Sequence, residues 1–261
     1  MILDNKIDYL QDGISVVSLK DRMMVDSPLK TVNAGRISYN KQKTEFDEKD
    51  AKLTSFLWNH EHTSPFRHSY FTFHIKAPLF LFNQLKKYQV GSGFRSYEVE
   101  GKTVSLEVFD EFYDIDKGCS WNEVSGRYTQ TSEEFYIPKK LRSNPAHGNK
   151  QSSGEWVNLK KSKVAASEKD ILDYIFNSCH NQLVTYKDLI ENGVAKELAR
   201  LVLPQNIYTE CYWTVSLQAL LWFLHQRLKL DAQHEIRLLA EGIYTIMKND
   251  LDKLGLEREK L

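Results

Sequence analysis

The chain has 261 residues, and its 35 Lys+Arg balance its 35 Asp+Glu, so the formal net charge is zero. That balance argues against a protein that grips duplex nucleic acid by broad phosphate neutralisation, though it leaves room for a local cationic pocket. Apolar residues at 41% and aromatics at 12% suffice for a packed core and exclude general disorder. The longest apolar run, around 77–82, stops at Asn83 and Gln84 and falls far short of the roughly 20 residues that cross a bilayer. The N-terminal stretch carries acids where a secretory signal places basic residues. Cys119, Cys179 and Cys211 are odd in number, widely spaced and without a CxxC pair. This points to reduced thiols in a cytoplasmic protein rather than a disulfide framework or a structural zinc site.

In chain order, Ile14-Ser-Val-Val-Ser-Leu19 reads as a short strand. Phe46, Ala51, Leu53, Phe56 and Leu57 among charges predict a helix within 43–60. Residues 66–76 alternate, with Phe71, Phe73 and Ile75 on one face and Tyr70, Thr72, His74 and Lys76 on the other, which is the period of a strand. Pro78 suits the first turn of a following helix over 79–88. Gly101 lies between two alternating runs and predicts a hairpin within 97–109. Residues 143–155 are rich in turn formers and predict a surface loop.

The last hundred residues read as helical. Ser167 and Asp170 predict a cap for a helix carrying Ile171, Ile175, Cys179, Leu183, Tyr186 and Ile190, which ends near Gly193. A short helix near 196–202 stops at Pro204. Val215, Leu217, Leu221, Leu224 and Leu228 form one helical stripe, and Ile236, Leu239, Ile243, Ile246 and Leu254 form another. No repeat or linker interrupts the chain. An early antiparallel sheet and a helical C-terminal half together predict a single α+β domain over 1–261.

The densest polar cluster is Trp121-Asn-Glu-Val-Ser-Gly-Arg-Tyr128. Glu123, Ser125 and Arg127 offer a carboxylate, a hydroxyl and a fork of donors, and Gly126 permits close backbone approach to a ligand. The segment reads either as a grip on a phosphorylated nucleoside or as an ordinary turn with a surface ion pair. Arg200 and Arg227 sit in apolar helical sequence, where an arginine either meets an anion or snorkels outward. His60, Glu61, His62 and His68 have zinc-like HxH spacing, but no second HxH or HExxH accompanies them, so no metal is assigned. Ser125 lacks a GxSxG setting, and the glycines at 91 and 93 lack the third glycine of a dinucleotide fingerprint.

Taken in order, several stretches resemble the flavin-dependent thymidylate synthases. They are Asn33-Ala-Gly-Arg-Ile-Ser38, His62-Thr-Ser-Pro-Phe-Arg-His68, Phe73-His-Ile-Lys-Ala-Pro78 with Gln84, and Asn122-Glu-Val-Ser-Gly-Arg-Tyr128. Glu134-Phe-Tyr-Ile-Pro138, Ala199-Arg-Leu-Val-Leu-Pro204 with Asn206, Trp213-Thr-Val215, and Arg227 with Ala232-Gln-x-Glu-Ile236 continue the series. The resemblance implies methylation of dUMP to dTMP, with methylenetetrahydrofolate as carbon donor, FAD as hydride carrier and NADPH as reductant. It implies a homotetramer with shared active sites, and no nucleic-acid or membrane partner. Gln84, Glu123, Ser125, Gly126 and Arg127 would hold dUMP, with Arg200 reaching its phosphate from a neighbouring chain and Arg227 acting beside the uracil. Ser38, His62, Ser64 and Arg67 would contact FAD. Lys87, Tyr88 and Gln89 stand where the family has Arg-His-Arg, and an inserted hairpin segment near 92–119 follows them. A hydroxymethylating variant and a non-catalytic nucleotide-binding homologue are the alternative implications of these departures.

Overall fold

A computed structural model describes residues 5–22, 27–88, 94–99, 102–107, 119–129, 132–144, 153–154 and 167–260. Its centre is a five-stranded antiparallel sheet. The strands are β1 (Lys6–Ile7), β2 (Val16–Arg22), β3 (Tyr70–Pro78), β6 (Cys119–Glu123) and β7 (Tyr208–Ser216), in the order β1-β2-β3-β7-β6. The expected alternation in β3 is observed. Phe71, Phe73, Ile75 and Ala77 are buried, and β7 opposes them with Cys211, Trp213 and Val215 on the same face. Trp213 organises this layer, with its ring centroid 5.3 Å from Trp121, 5.6 Å from Phe223 and 5.9 Å from Phe73. The opposite face is polar: the hydroxyls of Thr72 and Thr214 meet at 2.9 Å and His74 Nε2 lies 2.8 Å from Glu210.

Two helices cover the apolar face, α6 (Leu217–Arg227) and α7 (His234–Lys253). Their stripes are the expected ones, since Leu217, Leu221, Leu224, Ile236, Leu239 and Ile243 are fully buried. Val215 belongs instead to β7. The strand runs to Ser216, whose hydroxyl accepts from the Ala219 N–H at 3.2 Å and so caps α6. A late segment read as helical therefore begins with a strand that pairs with β3 along its whole length. The missed signal is the period-two burial of Cys211, Trp213 and Val215, which the helical neighbourhood masked.

Pro78 also differs from expectation. It ends β3 and sits at the N-cap of α3 (Leu79–Leu85) rather than inside its first turn. The helix stops at Leu85, three residues short of the expected span. Its first N–H groups are satisfied from outside: Leu79 donates to Ile207 O at 2.9 Å and Phe80 to Gln205 O at 3.0 Å. This seats α3 against the segment that leads into β7.

The N-terminal helices are α1 (Ser27–Arg36) and α2 (Glu48–Asn59). A reciprocal capping box of Asp47 and Asp50 starts α2, which lies within the expected 43–60. Residues 94–99 and 102–107 form a separate two-stranded antiparallel sheet, β4 (Phe94–Val99) with β5 (Lys102–Glu107), in which Val99 opposes Lys102. This agrees with the predicted hairpin. Its turn, and most of the 143–155 loop, lie outside the described residues. The long helix α4 (Glu168–Glu191) starts at the expected Ser167–Asp170 capping box and packs Leu183 and Tyr186 against Ala199 of α5 (Lys196–Ala199). No helix among the described residues is long and apolar enough to cross a membrane.

Candidate active site

The polar segment after β6 is a tight turn built on its own backbone. Val124 N–H extends the pairing by donating to Glu210 O at 2.9 Å. Tyr128 and Thr129 N–H both donate to Ser125 O at 3.1 Å, and Arg127 N–H donates to Ser125 Oγ at 3.3 Å. Gly126 is buried at its centre. Lys196 Nζ of α5 donates to Tyr128 O at 3.2 Å, and Arg127 Nε lies 3.8 Å from Glu197, so the turn docks on that short helix. The chain then passes through Arg200–Val202 to Pro204 and back into β7.

This arrangement encloses a cleft of about 700 Å³. Glu123, Gly126 and Thr129 line one wall, Arg200, Leu201 and Leu203 another, and Lys76 with Glu210 the sheet end. That is the size of pocket that holds a small ligand. Arg200 is exposed and has no ion pair among the described residues, while Glu123 is paired with Lys86 Nζ. Arg200 lines the same cleft as Glu123 and Gly126 of its own chain, because α5 both docks the turn and leads directly into Arg200.

Gln84, Tyr88 and Arg227 do not line that cleft. The Arg227 guanidinium carbon lies 5.4 Å from the Tyr88 ring centroid, and the Tyr88 ring packs edge-on to Phe223 at 5.1 Å. Burial pushes the Tyr88 phenol up, against the opposing charge of Arg227. Arg227 Nε is buried with no hydrogen-bond partner among the described residues. An unsatisfied buried donor is destabilising on its own and marks a place where an acceptor can bind. Gln84 donates through Nε2 to Gln233 Oε1, and Gln233 Nε2 donates to Glu235 at 3.1 Å. Glu235 is 3% exposed and takes both Arg142 NH2 bonds, at 2.7 and 2.9 Å.

Ser38, His62, Ser64 and Arg67 are all exposed. What holds them is the rest of their motifs. A Cβ on Gly35 would lie 3.0 Å from Leu57 Cδ1 of α2 and in ordinary contact with Pro65 Cγ at 3.6 Å, so glycine lets α1 lie close against α2. The Asn33 side chain exchanges two hydrogen bonds with the Lys43 backbone, at 2.8 and 3.0 Å. Arg36 and Lys43 both pair with the fully buried Asp50. Asn33 and Arg36 thus anchor the C-terminal part of α1, just before Ser38. Arg67 Nε donates to Gln218 Oε1 of α6 at 2.7 Å, tying the turn to the helix that ends in Arg227. Hydroxyls, an imidazole and a guanidinium are each groups that can bond ribose or phosphate oxygens. Lys87 is exposed, Tyr88 is turned inward beneath Arg227, and Gln89 lies outside the described residues.

Residues 21–251 match the family profile described as "Thymidylate synthase complementing protein". A flavin-dependent thymidylate synthase of Thermosipho africanus is 35% identical over 225 residues, covering 86% of this chain and 83% of that protein. The chain belongs to the flavin-dependent thymidylate synthase family. A member from Thermus thermophilus is also 35% identical, over 89% of this chain and 71% of its own. Among solved structures, the UMP/dUMP methylase PolB from Streptomyces cacaoi, bound with 5-Br dUMP, shares the fold at a TM-score of 0.68 and 24% identity, covering 94% of each chain.

Within this flavin-dependent thymidylate synthase family member, Glu123, Gly126 and Arg200 line the cleft, while Ser125, Arg127, Gln84 and Arg227 are not part of its lining. Sequence reasoning missed the residues that hold them: Lys86 on Glu123, Asp50 under Arg36, and Gln233, Glu235 and Arg142 behind Gln84. For Glu235 and Gln233 a signal existed, since both lie in a matching motif. Arg142 had none, because its partner is distant in sequence.

Proposed function

We infer that the protein methylates dUMP to dTMP, with methylenetetrahydrofolate as the carbon donor and NADPH-reduced FAD as the hydride carrier. The relatives named flavin-dependent thymidylate synthase, and a structural neighbour that holds 5-Br dUMP, support this reading. The observation that carries it is the convergence of Glu123, Gly126 and Arg200 on one cleft.

Arg200 and Arg127 bind the phosphate, with Ser125 and Gly126 bringing hydroxyl and backbone close to it. Ser125 is a binding hydroxyl, not a nucleophile. Gln84 and Arg227 meet the base. Arg227 holds a guanidinium where negative charge develops on the pyrimidine ring, and a fixed cation in a site with little water stabilises that charge strongly. Ser38, His62, Ser64 and Arg67, with Lys87, Tyr88 and Gln89, would hold FAD, which supplies hydride when bound and reduced.

The protein is a homotetramer with shared active sites, in which one copy supplies the cleft and another supplies Gln84 and Arg227. Leu201 of the cleft lining, at 78% exposure, and Tyr128, beside the lining Thr129, at 74%, offer apolar surface for such a contact. The three cysteines are free thiols, in keeping with a cytoplasmic protein.

The purified protein should be yellow, or become so with FAD, and should transfer labelled carbon from methylenetetrahydrofolate to dUMP under anaerobic conditions with NADPH. Mass spectrometry should show a methyl rather than a hydroxymethyl product. No product at saturating FAD would contradict the assignment. Arg127→Ala should raise KM for dUMP by about 10-fold or more, the loss of a charge-assisted phosphate contact, with kcat changed far less. Steady-state kinetics read both values directly.

A further inference from the structure

β4 and β5 form a two-stranded ribbon separate from the five-stranded sheet. Their register sorts the residues onto two faces. Arg95 opposes Leu106, Tyr97 opposes Val104 and Val99 opposes Lys102, and these six positions share one face. That face is apolar, with a cation at two diagonal corners and no acid. The ribbon's two acids, Glu98 and Glu107, fall on the other face. A lone two-stranded ribbon is at best marginally stable in water, so its apolar face needs a cover.

The first three turns of α4 offer the complementary surface. The Ser167–Asp170 capping box starts the helix, yet no residue from 169 to 178 is buried. Ile171, Leu172, Ile175 and Phe176 recur at helical spacing beside Tyr174, and in the single chain Tyr174 keeps 61% of its surface and Phe176 49%. The cover for this apolar band therefore comes from outside the chain. The same turns hold Glu168, Asp170 and Asp173 against a single Lys169, so their charge is opposite to that of the ribbon face. The lengths agree as well: a six-residue strand spans roughly 20 Å and ten helical residues about 15 Å.

We propose that the apolar, cationic face of the β4–β5 ribbon of one copy docks on the apolar, acidic first turns of α4 of a second copy. The proposal rests on the reading of the protein as an assembly of copies. The ribbon is rooted between Tyr88 and β6, which carries Glu123, and α4 leads through α5 to Arg200. The contact thus ties the Glu123 segment of one copy to the Arg200 segment of its neighbour.

Sedimentation of the full chain over a concentration series, with site-directed cross-linking, tests it. Arg95→Glu with Lys102→Glu should raise the dissociation constant between copies about 10-fold or more, because like charges facing each other across an interface are costly. Adding Asp173→Lys to the same chain should recover most of that loss, which a folding defect would not allow. Chains carrying Val104→Cys and Tyr174→Cys, co-expressed and treated with a short bis-maleimide, should be joined between positions 104 and 174 by peptide mapping. The native thiols at Cys179 and Cys211 are buried, and each chain alone gives the background. An assembled wild type with neither the 104–174 link nor a charge-reversal effect would overturn the proposal and leave the homotetramer standing. A wild-type chain that stays monomeric throughout the series would overturn both.

Discussion

Arg227→Ala should lower kcat by roughly 10²–10³-fold, the scale seen when one preorganised electrostatic group is removed from a reacting centre. The fold should survive the change. Arg227 gives up a cation–π contact with Tyr88, which is worth about 0.5–2 kcal/mol. The same substitution removes a buried Nε that has no partner among the described residues, and this offsets part of that loss. Turnover should fall more steeply than dUMP affinity, because the ring carries more negative charge in the transition state than in the bound substrate. Single-turnover kinetics at saturating dUMP, with a thermal melt of the same sample, separate the two effects. Near-normal turnover in a folded variant would remove Arg227 from the chemistry.

The second large effect concerns stability. Arg142→Ala should cost about 3 kcal/mol or more at neutral pH, because breaking a buried pair leaves an uncompensated charge. Burial alone would push the Glu235 carboxyl up. The Arg142 charge and hydrogen bond, with the Gln233 bond, outweigh burial and hold it below its ordinary value. A carboxyl lowered by folding stabilises the native state above its unfolded pKa, and that contribution is lost as pH falls through the folded value. Without Arg142, burial is opposed only by the Gln233 and backbone hydrogen bonds, so the lowering weakens. The gap between wild type and variant should therefore be widest near pH 7 and narrow as pH drops below the usual carboxylate range. Urea unfolding at a series of pH values measures it, and a gap independent of pH would contradict the role given to the pair.

Much of the fold was legible because a single face dictated the pattern. Phe71, Phe73 and Ile75 could be read as one buried face of a strand without knowing its partners, and the Ser167–Asp170 cap depends on residues three apart. β7 was not legible. Its alternation is short, and Leu217 and Leu221 continue it at helical spacing, so Val215 looked like part of the helix. The motifs gave candidate site residues but not which of them the fold brings together. Gly126 and Arg200 meet because Lys196 and Glu197 seat the turn on α5, contacts that no local period encodes. Asn33 and Arg36 stand in a matching motif for a reason internal to the fold, the seating of α1 on Asp50 of α2.

The most direct test is a crystal structure of the assembled protein with dUMP and FAD bound. The phosphate should lie in the cleft, within hydrogen-bond distance of Arg127 and Arg200, with the pyrimidine beside Arg227 and Gln84 contributed by another copy of the chain. A nucleotide bound elsewhere, or an assembly that leaves the Arg200 cleft and Arg227 on surfaces that never meet, would contradict the account.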